Sequence, residues 1–307
     1  MEFPTRHAYL RVFSKTEINT HEHFIKIDSL GPDVNGFHIS FYVVKSLAPN
    51  SNRANISVYN LSQKTRKTIS SNGLWCELYA GYLGNEHLLF AGEIKNSFSE
   101  REGADIITTL VCQTDWKLEA MKYSKSFPAQ TPVRDILNNI IKQANLPTTS
   151  NTLSIADDKL SYQLVFTDTV EATLDKLANM FHFAWSMQDY GFLAVSDTFA
   201  FINSQKIDSL IKSVEIIPKE NDRASSGFAV NCILNSSFMV GDLVEFVANY
   251  QSGRFKIYEL FYSGDTVEGE WAMNLEGFAP GSLIVQPTKT KTQPTPSFWA
   301  ELPTAYS

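Results

Sequence analysis

The stretch Glu77-Leu78-Tyr79-Ala80-Gly81-Tyr82 is matched later in the chain by Glu245-Phe246-Val247-Ala248-Asn249-Tyr250, each inside a strand-rich block of similar layout. Around the first copy, residues 74–82, 88–94 and 106–112 read as short strands joined by loops containing Gly84-Asn85 and Glu102-Gly103. Around the second, strand signals run through 213–217, 228–234, 242–248, 254–262 and 270–278, with turns at Met239-Val240-Gly241-Asp242 and Ser263-Gly264-Asp265. Short antiparallel strands at this spacing build a sandwich or a small barrel. A β-unit present twice in one polypeptide is present six times in three, so the repeat points to a trimeric ring with near-sixfold character. Layout carries the match more than identity does; a chance likeness between two β-barrels is the alternative reading.

Upstream, residues 5–45 read as strands around a polar turn. Phe37, Ile39, Phe41 and Val43 face one way, and His38, Ser40 and Tyr42 the other. Another alternating run at 54–59 leads to Asn60-Leu61-Ser62, where Ser62 caps a short helix that ends near Asn72-Gly73. After Asp115 the period changes. Val133, Ile136, Leu137, Ile140, Ile141 and Ala144 fall on one face of an amphipathic helix with Thr131 as N-cap, Pro132 in the first position and Pro147 beyond its end. A second helix over 170–181 is capped by Thr169 and precedes a hairpin of 183–187 with 191–195. The fold expected is mainly β with an α+β insert. Two small β-barrel domains, 1–115 and 206–285, flank a small α+β domain at 116–205, and 286–307 form an extended Pro/Thr-rich tail.

Composition narrows the function. The 307 residues carry a net charge of −7 and no Lys/Arg cluster, which argues against a surface built to neutralise phosphates. An acidic surface can still let DNA slide past, because like charge reduces sticking. Cys76, Cys112 and Cys232 are odd in number, far apart and set in apolar runs, so they read as reduced core thiols. The N-terminus lacks the apolar run of a signal peptide and no stretch reaches transmembrane length, so cytoplasmic synthesis and no membrane insertion are expected.

Candidates for chemistry are few. His21 and His23 alternate on one strand face but lack a third ligand nearby, and His182 reads as a helix C-terminal histidine. Asp157-Asp158 and the group Glu100, Glu102 and Asp105 could supply the acid and base of a glycosidase, yet both sit among polar loop neighbours. No phosphate-binding glycine loop, nucleophile elbow or zinc-protease helix is present in the sequence. No catalytic residue, cofactor or metal is expected. At the C-terminus, Phe298, Trp299 and Leu302 place large apolar side chains on a solvated tail and are candidate partner-binding residues.

Several motifs in order resemble the baseplate hub proteins of contractile-tailed bacteriophages. They are Phe37-His38-Ile39-Ser40-Phe41, Ala54 through Asn60-Leu61-Ser62 with Thr65, Ala80-Gly81-Tyr82 and Phe90-Ala91-Gly92-Glu93-Ile94. In the C-terminal block they are Val240-Gly241-Asp242-Leu243-Val244, Gly253-Arg254-Phe255-Lys256-Ile257, Ser263-Gly264-Asp265 and Trp271. Two positions depart from the pattern: Asn249 stands where the first block has Gly81, and Gln113-Thr114-Asp115-Trp116 replaces a tight turn. Such hubs are similar in fold to the tube-forming part of type VI secretion spike proteins. The resemblance implies a structural homotrimer in the virion whose two tube-forming barrels per subunit make a pseudo-sixfold ring. Its partners would be the tail tube protein, the central spike protein and other baseplate proteins, with DNA passing through the channel without specific binding. The alternative is a tail-tip cell-wall hydrolase or carbohydrate-binding β protein in which Trp75 and Trp185 stack on sugar rings.

Overall fold

In the computed structural model, residues 5–280 are described apart from 19, 21, 32–35, 50–51, 147–151, 197–204, 208–210, 218–226 and 249–250. The first part contains β1 (Arg6–Ser14), β2 (Ile25–Asp28), β3 (Ile39–Ser46), β4 (Arg53–Tyr59), α1 (Gln63–Ile69), β5 (Leu74–Tyr82), β6 (Asn85–Glu102) and β7 (Asp105–Gln113). The middle part contains β8 (Lys122–Phe127), α2 (Val133–Gln143), β9 (Thr152–Ser154), β10 (Leu164–Thr169), α3 (Val170–Phe181), β11 (Phe183–Gln188) and β12 (Gly191–Ser196). The last part contains β13 (Gln205–Lys206), β14 (Ile211–Ile217), β15 (Gly227–Ile233), β16 (Leu243–Ala248), β17 (Gln251–Asp265) and β18 (Trp271–Phe278). The protein is mainly β with few helices, as its alternating runs of Val, Ile, Phe and Tyr dictate.

All strands outside the middle part belong to one 13-stranded sheet, ordered β14-β15-β18-β17-β3-β4-β7-β6-β5-β1-β2, with β16 on β17 and β13 on β16. Separate closed barrels were the expectation. Among the described residues no ladder closes either set of strands on itself, and hydrogen-bonded neighbours run unbroken from one set to the other. The cause is the length of β17: along one edge its first half pairs with β16 and its second half with β3, while the other edge pairs with β18. One apolar core accordingly spans both sets, from Leu10, Val43 and Phe90 to Phe255, Leu260 and Leu275.

The Asn-Leu-Ser motif has a local explanation. Asn60 sits at φ 59°, a left-handed conformation that Asn tolerates, and its side chain bonds Asp105 at 2.8 Å and the Ile106 amide at 3.0 Å. Leu61 is buried, and Ser62 Oγ accepts from the Thr65 amide at 3.1 Å to cap α1. Thr169 caps α3 in the same way, accepting from Ala172 at 3.2 Å. At α2 the expected Thr131 cap is not formed. Pro132 occupies the N-cap in extended conformation without a side-chain bond, and the Thr131 hydroxyl donates to Pro128 O instead.

The middle part has its own core, in which α2 and α3 pack on Tyr123, Phe166, Trp185 and Phe192. The hairpin β11–β12 is buried along its whole length. Phe183, Trp185, Phe192 and Ala194 face the middle core, while Ala184, Leu193 and Val195 face the large β core. Period-two alternation thus makes this hairpin the shared wall between the two.

Candidate assembly interface

The duplicated stretch lies at the same place in two sets of strands with the same topology. Set one is ordered β3-β4-β7-β6-β5 and set two β14-β15-β18-β17-β16, with every pairing antiparallel. In each, a long central strand pairs with its predecessor by its first half and with its successor by its second. Glu93 is the crossover in β6, opposite both Trp75 and Gln113; Lys256 is the crossover in β17, opposite both Leu243 and Phe278. Directly after each crossover comes an irregularity, at Ile94/Asn96 in one and Ile257/Glu259 in the other. Bringing the crossovers together places Trp75 on Leu243 and therefore Glu77 on Glu245, the alignment that the sequence repeat gives. A shared bulge is not a consequence of generic strand pairing, because bulges are specified features of a fold.

The two sets meet along β17 and β3, from Glu259 opposite Ser46 to Asp265 opposite Ser40. This seam is packed: Val43, Leu260 and Tyr262 are at most 1% exposed. Gly264 fits there because the Phe41 ring lies directly over it and edge-on to Trp271. At the end of the seam, Asp265 accepts from the amides of Val267 (2.9 Å) and Glu268 (3.0 Å) and bonds His38. Burial raises the Asp265 carboxyl, but those amides and His38 outweigh it and hold the group below the usual aspartate value.

The tip of the β11–β12 hairpin locks the middle part to set one. Asp189 accepts from Lys45 Nζ at 2.5 Å and from the Ala91 amide at 2.8 Å, and Gln188 and Asn52 bond each other at 2.8 Å. Beside them Trp75 Nε1 donates to Tyr190 Oη at 2.9 Å, and Tyr190 donates to Glu77 at 2.6 Å. Burial, with the Glu77 carboxylate beside it, drives the Tyr190 phenol far up and Tyr79 up to about 12. Glu245, the counterpart of Glu77, is only half-buried and faces Arg254 at 3.4 Å. Glu77 has therefore become an anchor for the middle part, whereas Glu245 pairs within its own set. In set two the Val-Gly-Asp motif closes a turn: Gly241 is at φ 88° and Asp242 accepts from the Met239 amide at 2.9 Å. Burial lifts the Asp242 carboxyl to about 7.

The residues singled out for chemistry are not brought together. His23 is exposed and lies 3.5 Å from Glu17, His21 lies outside the described residues, and His182 is the left-handed C-cap of α3. Glu100, Glu102, Asp157 and Asp158 face solvent, and no group of metal-ligating side chains occurs among the described residues. Trp75 and Trp185 are buried, 0% and 2% exposed, so neither can stack on a sugar and the carbohydrate reading loses the residues that motivated it. Phe298, Trp299 and Leu302 lie outside the described residues. Cys76, Cys112 and Cys232 are free, buried thiols as expected. Sequence reasoning missed Lys45 and Asp189; a lysine within the apolar run of β3 was the available signal. No described helix is long and apolar enough to cross a membrane.

A family model described as baseplate hub gp41 matches residues 33–263. No curated protein sequence matches the chain. Among solved structures, the 43 kDa tail protein of prophage MuSo2 from Shewanella oneidensis is similar at a TM-score of 0.61 and 7% identity, over 90% of this chain and 97% of that one. A tail protein from Neisseria meningitidis MC58 is similar at 0.61 and 8% identity, over 89% and 96%. The E. coli c3393 protein, a type VI secretion component with structural similarity to the T4 tail proteins gp27 and gp5, is similar at 0.52 and 7% identity, over 79% and 74%. At such identities these likenesses speak for the fold.

Proposed function

The chain belongs to the baseplate hub gp41 family, a structural protein of the phage tail and not an enzyme, and we propose that it works there as a homotrimeric adaptor between a sixfold tail tube and a threefold central spike. The observation that carries this reading is the repeated strand order with its coincident crossover and bulge. A sixfold and a threefold object cannot share one face without a mediator. Three subunits with two equivalent β-units each offer six similar edges to the tube, while whatever differs between the units repeats three times for the spike. The way the middle part is held is such a difference, by Asp189 and Tyr190 on the first unit and by Lys256 on Ser196 O in the second.

In this arrangement the chain divides near 1–115, 116–205 and 206–285. The two β domains form the ring, barrel closure being reached across subunits, and the α+β domain braces the outside. The net charge of −7 suits a channel through which DNA moves without sticking. The protein is made in the bacterial cytoplasm and assembles with other baseplate proteins. Phe298, Trp299 and Leu302 would dock on the spike or another central partner, the tail at 286–307 acting as a tether. Light scattering on the purified full chain at tens of micromolar, alone and with its spike partner, tests the reading. A mass of three subunits is expected; monomer under both conditions would contradict it.

A further inference from the structure

We propose that β14 of one copy of this chain adds, antiparallel, to the second half of β6 in a neighbouring copy, with Phe98 opposite Ile217 and Ser99 opposite Ile216. The proposal rests on the trimeric reading above and names the surface by which the copies join.

The inference comes from applying the internal repeat to its own seam. Residues 259–265 of β17 run past the start of β16, and the edge left open there is taken by β3. Residues 96–102 of β6 run past the start of β5 in the same way, since the last β5 pairing is Trp75 with Glu93. Among the described residues that edge has no strand partner. β14 is the counterpart of β3, and it ends the sheet with β15 as its only strand neighbour among the described residues. The chain therefore makes one seam internally and leaves both halves of a second seam unfilled, on two different strands. Long open edges template further pairing, and proteins do not normally leave them bare.

Side chains agree with the mapping. Ser40-Phe41-Tyr42-Val43-Val44 of β3 corresponds to Ser213-Val214-Glu215-Ile216-Ile217 of β14, and Phe261 of β17 corresponds to Phe98 of β6. Within the filled seam Phe261 faces Val44, Tyr262 faces Val43 and Gly264 faces Phe41. Carried over, those pairs become Phe98 with Ile217, Ser99 with Ile216 and Arg101 with Val214. Val43 is 0% exposed in the filled seam, whereas its counterpart Ile216 stands 55% exposed on the open edge. A second copy would cover that apolar surface. Glu100 would face Glu215, a like-charge pair on the same solvent-facing side as Phe98 and Ile217. Because the two edges differ, the contact is head-to-tail and propagates until it closes, which three copies achieve by alternating three internal and three intermolecular seams.

The test uses the full chain with two cysteine pairs, Phe98→Cys with Ile217→Cys and Ser99→Cys with Ile216→Cys, oxidised by glutathione disulfide; the native thiols are buried. Successive antiparallel pairs alternate between Cα separations of about 5.5 and 4.5 Å, both within disulfide reach. A control pair, Phe98→Cys with Ser213→Cys, is displaced by four residues, about 13 Å, and should not bond. Non-reducing gels should show covalent dimers and trimers for an in-register pair and none for the control. In the unsubstituted trimer, those amides of 213–217 and 97–102 that point away from β15 and β7 should also exchange slowly with deuterium. Trimers that form without in-register cross-links and without that protection, or with the control bonding as well, would overturn this seam while leaving the trimer intact. A chain that stays monomeric would overturn both.

Discussion

Asp242 is the residue whose environment makes the sharpest demand. Its carboxyl is fully buried, one oxygen accepts from Met239 and Oδ1 has no bond partner, so burial lifts the group from 3.8 to about 7. A folded value above the unfolded one favours the protonated acid. Stability is then complete below about pH 4 and is lost as pH rises through about 7. Asp242→Asn keeps the Met239 bond without the charge, so wild type should lose about 2–3 kcal/mol relative to it between pH 5 and pH 8. Melting curves of both proteins across that range check this, and a constant difference would contradict it. Asp189 matters instead through its ion pair with the buried Lys45. Asp189→Ala leaves that lysine buried and unpaired and should cost about 3–5 kcal/mol, read as a lowered denaturant midpoint. Adding Lys45→Met should recover part of the loss. Neither role was legible beforehand: Asp189 follows a hairpin strand like any turn residue, and only the folded chain brings it 144 positions back to Lys45.

Elements show where local signals suffice. Helices α1 and α3 fall where Ser62 and Thr169 cap them, and β5 runs over the residues its alternation marks. The α2 cap moved to Pro132 because that residue is held extended by its bridge to Lys159, which leaves Thr131 one position outside the helix, a pairing that spacing does not reveal. The full lengths of β6 and β17 were also hidden. Polar runs such as Ser97-Phe98-Ser99-Glu100 lack a buried face in the single chain, so hydrophobic periodicity stops before the strand does. The seam between β17 and β3 can be tested through Gly264, where an added Cβ would drive into the Phe41 ring. Gly264→Val should destabilise the protein by about 1–3 kcal/mol. Quenched Trp271 packing should be seen as changed fluorescence, whereas an unchanged melting point would mean that the seam yields freely.

At the scale of the whole molecule, the sequence repeat was readable as layout, and the folded chain turns it into a shared strand order and crossover. That the two sets join in one sheet rather than closing as barrels was not readable, because a strand that leaves its own set to pair with another looks locally like any other strand. Deleting residues 286–307 should leave the oligomer mass per subunit unchanged and reduce co-purification with the spike by at least about tenfold, as loss of one aromatic anchor would. Equal recovery with and without the tail would remove its docking role. The proposition that two equivalent β-units per chain build a ring from three copies is met most directly by particle images of the isolated full-length protein. Annuli with threefold symmetry, six similar lobes and a central hole are expected. Single compact particles, or closed twofold dimers, would contradict it.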